Sequence, residues 1–159
     1  MVNVQQVSEW TGLRAVEFHY GHIHMMELTD MTRETSRHIP DFPLYIKAQA
    51  EGNPSFSLMY KNKLFISFGV VPFWDGFGEA WMVPSKRINT APVPLVRAGR
   101  GFFQHIGTAM GLRRLQFMVH SRHLQAIRFA ETLYFKKEAT LAKYGPDGSD
   151  YHVMSRFYS

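Results

Sequence analysis

The chain has 159 residues, 45% apolar and 19% charged, and no cysteine. Such a chain can bury a core of its own as one domain, and it has no disulfide, thiolate metal site or cysteine nucleophile. Its formal charge of +5 is uneven: residues 86–143 hold eleven Lys/Arg against two Asp/Glu, a balance of +9, and the rest holds seven against eleven, −4. A phosphorylated ligand, a nucleic acid and a plainly solvated basic surface all fit the second half.

Leu13–Phe18 alternates apolar positions and predicts an opening strand. Tyr20–Arg37 reads as helix, broken near Thr29–Asp30 and ended by Pro40 and Pro43. Leu44–Ala50 is a second short helix. Phe56–Tyr60, a tight turn at Lys61–Lys63, and Leu64–Val71 form a hairpin. A further turn, Phe73–Gly78, leads into a third strand, Glu79–Val83, stopped by Pro84. Pro92 and Pro94 suit the first turn of a helix running over about Leu95–Met110, with Gly111 in the place of a C-terminal cap. Leu115–His120 is a strand. Ser121 is placed to cap a helix over Arg122–Tyr134. Lys137–Tyr144 and Tyr151–Tyr158 close the chain as two strands around a Gly145–Gly148 turn. The expected architecture is one α/β domain over residues 1–159, a mixed and mostly antiparallel central sheet flanked by helices on both faces.

Several of these segments carry a resemblance. Gly111-Leu-Arg-Arg-Leu115 looks like the lead-in to the fifth strand of the GCN5-related N-acetyltransferases (GNAT). Gln116–Ser121 followed by Ala126-Ile-Arg-Phe-Ala-Glu-Thr-Leu-Tyr-Phe135 is similar to that family's V…N..A…YE..GF segment. Phe65–Val71, Glu79–Val83 and Lys137–Tyr158 resemble the central strands and closing hairpin of acetyltransferase-like bacteriophage proteins. The likeness spans roughly Phe56–Tyr158.

The resemblance implies acetyl-CoA as co-substrate, an amine as acceptor, and no metal. The family holds its cofactor in a splay between its fourth and fifth strands, with the diphosphate on the following helix N-terminus, where free amides and the helix dipole favour anions. Carried onto this chain, the pantetheine arm would meet Trp81, Met82 and Val83. Arg87, Thr90 and Arg97 would approach the phosphates, and His123 stands at the family's Asn. Glu79 is the candidate base that keeps the attacking nitrogen neutral, or an ordinary strand-end carboxylate. His120 is a candidate titrating group near the cleft, or a hydrogen-bonded structural histidine. Tyr134 is a candidate acid for the departing thiolate, or a packed aromatic.

Three departures qualify the likeness. No glycine-rich phosphate loop precedes the helix at Ala91–Val96, where two prolines each remove an amide donor. Gly99-Arg-Gly101 lies about five residues too late, lacks the leading Gln/Arg, and serves close helix–sheet packing equally well. Ala130 takes the position where the family often has tyrosine. Two functions therefore stay open: an acetyl-CoA-dependent N-acyltransferase, and a non-catalytic phage virion or assembly protein with phage structural proteins as partners.

His19, His22 and His24 form an H-x-x-H-x-H cluster in which a helix would put His19 and His22 on one face, but no matching carboxylate or distant ligand stands out, and a site-lining or surface role is expected. Phe73, Trp74, Phe77 and Trp81 are expected to pack onto the sheet rather than stack on bases. With no nucleic-acid motif in view, nucleic acid is not expected as a partner. Met1–Trp10 lacks an apolar signal core and no apolar run has the length of a membrane segment. A soluble protein of the host cytoplasm, or of a virion assembled there, is expected.

Overall fold

The computed structural model describes residues 1–159. Its first element is a helix that the polar look of the N-terminus conceals. In α1 (Val4–Thr11), Asn3 and Gln6 cap each other reciprocally, and Gly12 ends the helix in the left-handed conformation. Strand β1 (Arg14–Glu17) follows, then α2 (Gly21–Met25) and α3 (Asp30–Ser36), so the break expected near Thr29–Asp30 is present, with Thr29 capping α3. Next come α4 (Phe42–Ala50), β2 (Ser55–Tyr60), β3 (Lys63–Trp74) and β4 (Phe77–Pro84).

A 3-10 turn over Lys86–Thr90, absent from the sequence reading, joins β4 to α5 (Pro92–Ala109). Both prolines lie inside the first turn of α5, so the helix starts three residues earlier than expected. Its end is a Schellman motif: Leu112 N–H donates to Gly107 C=O, Gly111 N–H donates to Thr108 C=O, and Gly111 takes φ 61°. Then follow β5 (Arg114–His120), α6 (Leu124–Thr132), β6 (Lys136–Leu141) and β7 (Tyr151–Phe157). His123, not Ser121, occupies the cap position of α6. The strand expected over Lys137–Tyr144 stops at Leu141, and Gly145–Gly148 sits within a longer connection.

The seven strands form one sheet in the order β1-β2-β3-β4-β5-β7-β6. All neighbours are antiparallel except β4 and β5. One face packs on α1, α5 and α6. Phe68, Val70 and Ala80 belong to this core with Phe102, Phe103, Ile106 and Phe135. On the other face, α2 and α4 bury a smaller cluster of Ile23, Met26, Ile46 and Val83.

Glycines set how closely the helices approach. A Cβ on Gly101 would lie 1.7 Å from the Trp10 carbonyl oxygen of α1. One on Gly99 would lie 2.8 Å from the Leu133 side chain, just past α6. The Gly-x-Gly pair is thus a packing device in the body of α5, helix against helix. Gly101→Ala has no flexible neighbour to displace and is expected to cost about 1–3 kcal/mol, as overpacked cores do. Urea denaturation read by circular dichroism checks it.

Candidate functional site

The parallel pairing of β4 and β5 is short. Phe77, Gly78 and Glu79 pair with Arg114, Leu115 and Gln116, and the pairing goes no further. Beyond that point each strand stays bonded on its outer side. β4 follows β3 as far as Pro84, and β5 follows β7 to His120. The sheet therefore opens as a wedge between Ala80–Val83 and Phe117–His120.

Backbone alternation fixes which groups face the opening. Ser85 N–H donates to Phe65 C=O, so odd-numbered residues of β4 turn their groups to β3 and even-numbered ones to β5. Tyr158 N–H donates to Arg113 C=O, which turns the even-numbered residues of β5 toward β4. Past the paired residues, the N–H and C=O of Met82 and of Met118 look into the wedge from opposite sides. An extended ligand with amide groups could bond there as an added strand would.

Glu79 stands at the vertex. Its carboxyl is half-buried, and burial pushes its pKa above the ordinary 4.5, with the Gln116 side chain pulling it part of the way back. Gln116 is itself held in place. Its Oε1 accepts from Arg114 Nε at 3.1 Å and Nη2 at 2.8 Å, and Arg114 Nη2 pairs with Glu138 at 2.7 Å.

His120 ends β5, is buried, and accepts from Arg122 N–H through Nδ1 at 3.1 Å. Its ring lies 5.4 Å from that of Tyr151, which lies 5.4 Å from that of Tyr144. Burial raises the pKa of both tyrosines, and the Glu79 charge adds to the effect on Tyr144. The sequence reading missed this pair. The available signal was register: on an antiparallel partner of β5, Tyr151 falls opposite His120.

The remaining expected residues are distributed unevenly. Val83 is buried beneath α2 and α4, and Trp81 packs edge-on against Phe18 at 5.2 Å. At these two positions the side chains belong to the core. Met82 turns its side chain toward Leu95 and Phe129. Arg87 does not point to the wedge: its Nη1 donates to Lys63 C=O at 2.9 Å, which ties down the β2–β3 turn. Thr90 Oγ1 donates to Arg87 C=O at 3.0 Å, closing its own turn. Arg97 is exposed on α5. His123 is half-buried at the start of α6, and burial, then His120, lowers its pKa.

Tyr134 does not join the group. It follows the far end of α6, is 61% exposed, and lies under the guanidinium groups of Arg100 and Arg156. The position it was to replace, Ala130, is fully buried.

The helix start at the mouth is poor in donors. Pro92 and Pro94 have no N–H and Leu95 N–H donates to Ala91 C=O, which leaves Val93 as the free amide of the first four residues. Gln125 Nε2 of α6 donates to Asn89 Oδ1 at 3.3 Å, linking the segments that follow β5 and β4. Of the histidine cluster, His22 bonds Ser57 Oγ at 2.8 Å. No group of three or more His, Asp or Glu is arranged to hold a metal ion.

No family model and no curated protein matches the sequence. Solved structures do match the chain over most of its length. Ard1 from Thermoplasma volcanium superposes with a TM-score of 0.72 at 15% identity, covering 91% of this chain and 97% of that one. A GNAT-family acetyltransferase from Bacillus anthracis gives 0.69 at 13% identity, covering 90% and 93%. The fold is that of the GNAT acetyltransferases. RimL, a ribosomal L7/L12 alpha-N-protein acetyltransferase solved with coenzyme A, gives 0.62 at 10% identity over 83% and 92%. At such identities the likeness is one of fold.

Because Glu79 has a raised pKa when folded, the native state holds its proton more tightly than the unfolded chain does. Its contribution to stability is greatest below 4.5 and is lost as pH rises through the raised value. Glu79→Gln removes that loss. The variant is expected to melt above the wild type at pH 7, with the gap narrowing toward pH 4. Thermal melts across that range check the sign.

Proposed function

We propose that the chain is an acetyl-CoA-dependent N-acyltransferase, acting on an amine acceptor. The observation that carries this reading is the wedge between β4 and β5, with inward-facing backbone groups at Met82 and Met118 and a half-buried carboxylate at its vertex. A pantetheine arm has amides spaced along an extended chain, and a strand edge is suited to such a ligand.

Within this reading Glu79 takes the proton that the acceptor amine must lose, directly or through water. The neutral nitrogen then attacks the acetyl carbonyl. The C–N bond forms, the nitrogen sheds its second proton to solvent, the carbon–sulfur bond breaks, and the thiolate leaves with the electron pair. Met82 N–H is the strand amide available to the carbonyl oxygen as it gains charge. Tyr144 and Tyr151, kept protonated by their surroundings, can return a proton to the thiolate, a role Tyr134 is too remote to fill.

The diphosphate end fits less well. Val93 N–H and the exposed Arg97 are what the start of α5 offers, since Arg87 is engaged elsewhere and Lys86 pairs with Glu27 and Asp30 at 3.4 and 3.5 Å. That deficit favours a second reading, a phage virion or assembly protein that keeps a degenerate GNAT fold without catalysis. The acyltransferase reading corresponds to the host cytoplasm and the second to the particle. No helix is long and apolar enough to cross a membrane.

Calorimetry with acetyl-CoA separates the two. Micromolar binding supports the enzyme, and no binding at millimolar ligand removes it. Recovery of the chain from purified virions by mass spectrometry would favour the second. If the enzyme reading holds, Glu79→Gln should lower kcat about 100-fold or more, the usual range for loss of a general base. Pro94→Ala restores one amide at the helix start and should tighten acetyl-CoA about fivefold, the effect of one added hydrogen bond of about 1 kcal/mol.

A further inference from the structure

The rings expected to pack down at the β3–β4 turn do not. β3 outruns β2, whose last pair is Ser55 with Gly69, so residues 71–74 are bonded to β4 alone and the hairpin extends past β2 while its turn stays bonded to the start of β5. Phe73 is 50% exposed and Trp74 65%, and with Phe77 they form a cluster with centroids 4.9–6.4 Å apart. Phe157, at the end of β7, is 67% exposed on the same edge.

Two arginines are anchored at this turn. Arg113 and Arg114 both donate their backbone N–H to Gly76 C=O in the turn, at 2.8 and 3.0 Å. The Arg114 guanidinium lies 5.8 Å from the Phe77 ring and 5.6 Å from the Phe157 ring. The Arg113 guanidinium lies across Gly76, so close that a Cβ there would meet its Nη1 at 2.3 Å. Arg113 is exposed and its side chain bonds nothing. Lys136 opens the neighbouring β6. Against these stand Asp75 in the turn and Glu138, which is already paired with Arg114.

We propose that this edge binds single-stranded nucleic acid, with bases stacking on Trp74 and Phe73 and backbone phosphates meeting Arg113 and its neighbours. Exposed rings beside guanidinium groups offer stacking and charge together, which an unpaired strand can use and a duplex cannot. A second copy of the chain fits worse, because a twofold contact here would bring one arginine pair against the other. The surface lies at the paired end of β4 and β5, away from the wedge, and does not depend on the acyltransferase reading.

Trp74 is the one exposed tryptophan, Trp10 and Trp81 being packed within the fold. The test is to titrate the full chain with a (dT)15 oligonucleotide, following tryptophan fluorescence and anisotropy of labelled oligonucleotide at two salt concentrations. The expected result is quenching with micromolar affinity that weakens as salt rises. Trp74→Ala should weaken binding about tenfold and remove the quenching, and Arg113→Ala should weaken it and flatten the salt dependence. Both positions are exposed, and circular dichroism confirms that the variants fold. The proposal is overturned by an absence of binding, by equal affinity for duplex DNA, or by binding indifferent to both substitutions. Quenching that tracks self-association in sedimentation would also overturn it.

Discussion

The structure turns on one interruption in a hydrogen-bonded ladder. β4 and β5 are the only parallel neighbours in the sheet, and they pair over three residues before parting. The parting is tolerable because each strand keeps its antiparallel partner on the other side for its full length. An open edge inside a sheet leaves polar backbone groups without partners, which is costly where water is excluded. Here the ladder between the two edges stops after three pairs, and Glu79 lies where they part. Both the proposed ligand contacts and the perturbed acid follow from that geometry.

The helix that starts at the mouth has a divided role. A phosphate-binding terminus needs backbone amides free of side-chain obstruction, and glycine suits it. In α5 the glycines lie further along, where Gly99 and Gly101 let α6 and α1 approach closely, and prolines occupy the first turn. Proline fixes φ for helix initiation but withdraws the donor. The sequence is therefore well adapted to starting and packing α5, and poorly adapted to holding a diphosphate by its amides. What the start of α5 presents is the exposed Arg97 and the single free amide of Val93.

The strands and the long helices were legible from the sequence because their apolar periods are clear and their breaks are made by proline and glycine. Where local signals were weak, the reading failed for identifiable reasons. In α1 the apolar residues are few, and the Asn3–Gln6 capping pair is the stronger sign. The 3-10 turn over Lys86–Thr90 has no period long enough to detect. Glu79 was legible because its strand was. Tyr144 and Tyr151 were not, because what brings Tyr151 beside His120, with Tyr144 against Tyr151, is β7 lying between β5 and β6, a tertiary pairing that no local pattern encodes. Arg87 shows the reverse error: a basic residue near the right helix was assigned to phosphate, and tertiary structure uses it to hold a turn.

Charge was legible only as a total. The basic excess of residues 86–143 left a phosphorylated ligand, a nucleic acid and a solvated surface open, and the fold spreads the charge. Lys86 and Arg87 are consumed in local contacts near the mouth, and Arg100 with Arg156 covers Tyr134. Arg113 and Arg114 are carried to the opposite end of the same strands, where the long β3–β4 hairpin exposes its rings. Near the mouth Arg97 on α5 and Arg122 just past β5 stay exposed and unpaired, while a cationic aromatic edge forms at the other end of the strands. What the wedge itself offers is backbone hydrogen-bonding groups at Met82 and Met118. What sets the hairpin edge apart is that its positive charge lies beside exposed rings, so one sheet presents two chemically different surfaces, an open strand edge at one end and a cationic aromatic one at the other.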